Sequence, residues 1–218
     1  MSAARSQSEP VLTIPGVWRA RTTVRRATVP TGYAALDAVL PGAGWMPGTV
    51  AELHVVAPGV GELRLVTPGL ARTAAASPVV FIDPPTDPGI RALQCLGLAA
   101  GRLLVVRTRS PRDHQWAAEQ MLRAGAMAAV LLWRDTSDPR AIRRLQLAAE
   151  AGGALAFVFT GTGSGAASPA ALRLRVTPTA RQDRVRVDIF KRLGARIAPF
   201  DLDLPGALAC PPSSVAAA

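Results

Sequence analysis

Short apolar runs alternate along the chain with longer stretches whose apolar positions recur at helical spacing. The runs at 50–56, 79–82, 103–106, 128–133 and 154–159 are strand-sized and rich in Val, Leu, Ile and Phe. The stretches between them read as helices. A short one at 33–40 carries Leu36, Val39 and Leu40; longer ones occupy 63–75, 87–96, 113–124 and 138–151. Punctuation supports these bounds. Asp87 is placed to cap one helix and Gly97 to end it, Gly125 closes the next, and Asp138 with Pro139 opens the last, which Gly152-Gly153 stops. In helix 113–124 one stripe is expected at Trp116, Ala117, Gln120, Met121 and Ala124. Three further strands, at 172–176, 185–190 and 199–204, are expected to finish the sheet as antiparallel members. Strands alternating with helices of this length build right-handed βαβ units, so the fold class is α/β, with a mostly parallel central β-sheet flanked by helices.

The two ends lack this regularity. Residues 1–27 are polar and Arg-rich and read as a flexible basic arm with Trp18 as its one anchoring point. Residues 28–204 form one core, and the Pro/Ala/Ser-rich stretch 205–218 reads as a disordered tail.

Composition narrows the class. At 218 residues, 49% of them hydrophobic, the chain has room for a sizeable core. No apolar run approaches the ~20 residues of a membrane span, so no membrane partner is expected. No apolar segment follows the N-terminal arginines to make a secretory signal, although an Arg-rich, acid-poor start is also the composition of a mitochondrial transit peptide. Cys95 and Cys210 set neither a framework nor a metal-ligand spacing, and two histidines add no metal case. A reducing cytoplasm is the expected location. The formal net charge of +10, nearly all arginine, points to a polyanion or an acidic protein as partner, against the plainer reading of a solvated surface. With aromatics at 5%, a base-stacking surface has little support.

The chemistry that the pattern invites is then missing. A phosphate-binding loop needs G-x-x-x-x-G-K-[ST] after the first strand: backbone N–H groups cradle phosphate, the lysine reaches it and the hydroxyl ligates magnesium. At that place stands Ala57-Pro58-Gly59-Val60-Gly61-Glu62-Leu63. The glycines remain, but Glu62 holds the lysine position and Leu63 the hydroxyl position. The single lysine, Lys191, lies far downstream. Gly59 and Gly61 then serve a plain strand-to-helix turn, and no cofactor is expected. No catalytic constellation replaces the loss, since His54 sits within a strand and His114 near a helix start. Asp83 and Asp87 are read as turn and cap residues rather than a metal pair. The candidate contact residues are basic. They are Arg19, Arg21, Arg25 and Arg26 in the arm, Arg140, Arg143 and Arg144 at i, i+3 and i+4 of one helix, and Lys191 with Arg192 at a strand end. For the last two groups a solvated face is the alternative. Trp116 and Trp133 are expected in the core or against a vacated nucleotide pocket, with an exposed hot spot as the alternative.

Taken in order, TGYAALDAVLPGAGWMPG, VVFIDPPTDP, LGLAAGRLLVVRTRSPRDHQWAAEQMLRAGAMAAVLLW and RVRVDIFKRLGARIAPF resemble successive segments of the RecA core. The combination of TGYAALDAVLPGAGW with RRLQLAAEAGGALAFVF is more similar to the ImuA-like accessory proteins of bacterial mutagenic translesion synthesis. The resemblance covers about 31–204 and implies a RecA-like core with a degenerate P-loop. It places the RecA catalytic glutamate on Pro84 or Pro85 and the Walker-B aspartate on Trp133, with Asp135 two residues beyond. The first DNA-binding loop shrinks to 135–139 and the second to 160–168. It further implies a non-catalytic adaptor of the damage response, active near the nucleoid. Its expected partners are an ImuB-like polymerase homologue, RecA itself, weakly DNA, and indirectly an error-prone replicative-type polymerase. Filament-type surfaces would correspond to 15–29 and 191–196. Two alternatives stay open: a cell-division inhibitor of the SulA type that binds FtsZ, and a DNA-dependent ATPase with relocated catalytic residues. Nucleotide binding separates the latter from the others.

Overall fold

The computed structural model describes residues 27–134, 138–162 and 167–204. The arm with Trp18, Arg19, Arg21, Arg25 and Arg26, the tail 205–218, and Asp135 all lie outside the described residues.

The five predicted parallel strands form close to their expected bounds: β1 (Val50–Val55), β2 (Val79–Ile82), β3 (Leu103–Val106), β4 (Ala129–Arg134) and β5 (Leu155–Gly161). β6 (Leu172–Pro178), β7 (Arg184–Lys191) and β8 (Phe200–Asp203) complete an eight-stranded sheet of order β3-β2-β4-β5-β1-β6-β7-β8. Only β7 and β8 join antiparallel to their predecessors. β6 lies parallel to β1, contrary to the expectation for the last three strands. The reason is topological: the chain leaves β5 and crosses past β1 before β6 begins, a crossover that produces parallel pairing.

Helices cover both faces. α1 (Ala34–Asp37), α2 (Glu62–Thr73) and α3 (Ile90–Cys95) put Leu36, Leu65, Val66, Leu70 and Leu93 onto the side of Leu53, Phe81, Leu131 and Phe157. α4 (Pro111–Arg123) and α5 (Pro139–Gly152) put Leu122, Ile142 and Leu145 onto the side of Val50, Val80, Val130 and Val158. Alternate residues of the central strands feed opposite faces, which is why they read as continuous apolar runs.

Local chemistry fixes the helix ends. Asp138 accepts from the Arg140 N–H at 3.0 Å, Pro139 occupies the first turn, and Gly153 closes α5 at φ 76°. α4 starts earlier than expected, because Ser110 accepts from the Asp113 N–H at 3.1 Å and Pro111 suits the first helical position. α3 starts later, after Pro88 and Gly89, and Asp87 is not its cap. Asp87 instead pairs with Arg107. α4 also presents a different face from the expected stripe. It buries His114, Gln115, Ala117, Ala118, Glu119 and Leu122 and leaves Trp116 61% exposed. Cys95, at the end of α3, is disulfide-bonded, which the expectation of a reducing location did not anticipate.

Candidate functional site

The loops that follow the parallel strands converge at one end of the sheet, the place where ligands sit in open α/β folds. From β1 the chain turns into α2 through Gly59 at φ 89° and Gly61 at φ 115°, left-handed values that suit glycine. A Cβ on Gly61 would also stand 2.7 Å from Leu204 Cδ1. Glu62 is the first residue of α2, and only 3% of it is exposed. Its Oε1 accepts from the Gly59 N–H at 2.8 Å and its Oε2 from the Gly61 N–H at 3.1 Å. The loop therefore cradles an anion after all, and that anion is the chain's own carboxylate. Glu62 thus does more than stand at the lysine position: it consumes the two N–H donors. Leu63 packs against the core.

Aromatic rings occupy the neighbouring positions. Trp133 lies between Phe81, at 6.0 Å between ring centroids, and Phe159, at 4.8 Å, in a near-parallel stack across β2, β4 and β5. An indole ring thus stands where the resemblance puts a magnesium-binding aspartate. A cleft of about 170 Å³ remains between the loop and this ring, walled by Pro58, Glu62, Leu63, Pro85 and Trp133. At the lysine and hydroxyl positions of a phosphate loop stand Glu62 and Leu63, and the Gly59 and Gly61 N–H groups are already bonded to the Glu62 carboxylate. Among the described residues, no group of three or more His, Cys, Asp or Glu could hold a metal ion.

Beyond the ring opens a larger cleft of about 460 Å³ at the ends of β2, β3 and β4. Asp83 stands at its base with φ 45°, an uncommon value for a residue other than glycine. Its Oδ1 accepts from the Thr108 N–H at 2.7 Å, and its Oδ2 meets the Thr108 hydroxyl and His114 Nδ1, the latter at 2.8 Å. Burial pushes the Asp83 carboxyl up, but the Thr108 and His114 contacts outweigh it and hold the group below the usual carboxylate range. Asp83 and Asp87 serve separate partners, so they form no metal pair. On the same cleft, Arg134 donates to Gln115 Oε1, Gln115 donates to Glu119 at 2.7 Å, and Glu119 pairs with Arg144 Nε at 2.8 Å. Burial lowers the Arg134 pKa.

Arg140, Arg143 and Arg144 are all exposed on α5, and Arg144, at the end of this relay, in addition pairs with the buried Glu119 from α4. Sequence reasoning missed the relay, and it missed a second buried pair, Glu52 with Arg173 Nε at 2.8 Å across β1 and β6. His54, beside it, is held below the usual imidazole range by burial first and by Arg173 next. The polar Glu52 and His54 inside an apolar strand were the available signal. Lys191 and Arg192 end β7 at the far end of the sheet from the Gly59–Gly61 loop. Lys191 donates to the Ser168 carbonyl, and Arg192 to that of Leu193 at 3.5 Å.

No family model matches the chain, and no curated protein matches it. Solved structures do. The crystal structure of the RadB recombinase superposes with a TM-score of 0.64 at 12% identity, over 81% of this chain and 96% of that one. At that identity the likeness concerns the backbone architecture, and it identifies the fold of this chain as RecA-like.

Proposed function

We propose that the chain is a non-catalytic RecA-like accessory protein of damage-induced mutagenic translesion synthesis. In this reading it works through protein contacts near DNA. The observation that carries it is the Glu62 carboxylate bonded to the Gly59 and Gly61 amides. A loop already filled by a covalently attached anion has no reason to hold a triphosphate. The protein lysine and metal that stabilise a transferred phosphoryl group elsewhere have no counterparts at Glu62, Leu63 and Trp133. A fold kept without its chemistry leaves its surfaces as the means of action. The resemblance to ImuA-like proteins supplies the partners: an ImuB-like polymerase homologue and RecA, with FtsZ as the partner if the division-inhibitor alternative holds.

RecA-like subunits pack head to tail, and a subunit that cannot cycle nucleotide caps such an array instead of extending it. Purified full-length protein is therefore expected to retain the ImuB-like homologue or RecA in a pull-down. In excess, it should lower RecA recombination activity. Retention of neither partner, with FtsZ retained, would transfer the reading to the division-inhibitor class.

A further inference from the structure

We infer that the apolar cavity at the amino-terminal ends of the strands is a docking pocket for one bulky apolar side chain, carried by an acidic extended segment of a partner protein. This deepens the adaptor reading and rests on it. The cavity measures about 320 Å³ and is walled by Leu40, Trp45, Leu155, Phe157, Leu172 and Leu193. It opens at the end of the sheet opposite the Glu62 loop. Its size is at the bottom of the roughly 300–1,000 Å³ range of small-molecule sites. That suits a single Leu, Phe or Trp side chain better than a cofactor. Leu193, on its wall, is 74% exposed, so apolar surface continues outward from the opening.

The charge at the opening defines what surrounds the anchor. Lys191 and Arg192 line the same cavity. Their hydrogen bonds go to carbonyls, of Ser168 and Leu193, and not to carboxylates. Arg192 Nε is buried and has no hydrogen-bond acceptor. A buried guanidinium N–H without an acceptor is costly, and a carboxylate is its strongest partner. An apolar floor beside two cations therefore fits an apolar anchor with acidic neighbours, the hot-spot arrangement of anchored interfaces.

The chain's own N-terminal arm is the obvious competitor, because Val29 bridges to Trp45 on the cavity wall. Its apolar residues include Trp18. Its charge opposes this use, since Arg19, Arg21, Arg25 and Arg26 would approach Lys191 and Arg192.

The test uses the full chain and fluorescein-labelled peptides in which acidic residues flank a central alanine, leucine, phenylalanine or tryptophan. Fluorescence polarisation is expected to show the large apolar centres binding at least tenfold tighter than alanine. Counterparts with lysine flanks should bind at least tenfold more weakly. Ala171→Trp, at an exposed position on the cavity wall, should abolish binding by filling the opening. The double variant Lys191→Glu, Arg192→Glu should weaken it tenfold or more, with the melting temperature unchanged in both variants. Equal affinity for all central residues, undiminished binding by Ala171→Trp, or a preference for lysine flanks overturns the pocket. So does binding that emerges only after residues 1–26 are removed, which would make the arm the occupant. If peptides fail but the pull-downs with RecA or the ImuB-like homologue succeed, the pocket is wrong and the adaptor reading stands. If peptides bind but the pull-downs fail, the pocket stands and those two partners are removed.

Discussion

At Glu62, itself almost fully buried, two oxygens satisfy two backbone donors, one on the exposed Gly59 and one on the buried Gly61. Glu62→Ala leaves the buried Gly61 N–H without an acceptor, at a cost of about 1–3 kcal/mol, whereas water can reach the Gly59 N–H. The urea midpoint is expected to fall with its slope unchanged, and Glu62→Gln should fall less because its amide oxygen still accepts. Wild-type stability in Glu62→Ala would mean that the carboxylate does not hold the loop. Asp83 gives a pH dependence of definite sign. Its folded pKa is below the unfolded one, so its contribution is complete above the ordinary aspartate range and is lost as pH falls through that range to the lowered value. Denaturation at a series of acidic pH values should show this loss, and Asp83→Asn should flatten it. That Glu62 stands at the lysine position was legible from the motif alone. That it fills the loop was not, because this depends on a side-chain conformation and on two left-handed glycines.

Two adjacent glycines separate local strain from packing at the junction of α4 and α5. A Cβ on Gly152 would stand 1.8 Å from the Leu122 carbonyl oxygen, a backbone atom that cannot yield cheaply. Gly153 has open space but a φ of 76°. Gly153→Ala should therefore cost about 1–2 kcal/mol, the penalty of a left-handed residue, while Gly152→Ala should cost more by forcing the helices apart. Thermal denaturation ranks them, and the reverse order would contradict the close approach. The elements themselves were readable where their signals are local: apolar runs for the strands, Asp138, Pro139 and the glycine pair for α5. The face of α4 was not, because the buried Gln115 and Glu119 find partners in Arg134, Ala141 and Arg144, whose positions come from tertiary packing. The direction of β6 was hidden for the same reason, as it depends on which strand it lands beside.

Over the whole molecule, many described arginines are bound to carboxylates: Arg107 with Asp87, Arg144 with Glu119, Arg175 with Asp188, and Arg181, Arg184 and Arg186 with Asp183, Asp203 and Asp201. Pairing leaves the net charge unchanged, but residues 1–26 carry five arginines against the single Glu9, which gives weight to the arm residues Arg19, Arg21, Arg25 and Arg26. DNA binding is expected to be weak, independent of sequence and steeply salt-dependent, and removal of residues 1–27 should lower both affinity and salt slope. Equal binding by the truncated protein would deny the arm that role. A RecA-like fold whose loop after β1 is filled by the Glu62 side chain is expected not to take up ATP. Calorimetric titration of the full-length protein with ATP and magnesium, followed by phosphate release in the presence of single-stranded DNA, decides this. No saturable heat and no release above background are expected; a micromolar dissociation constant with DNA-stimulated turnover would overturn the reading.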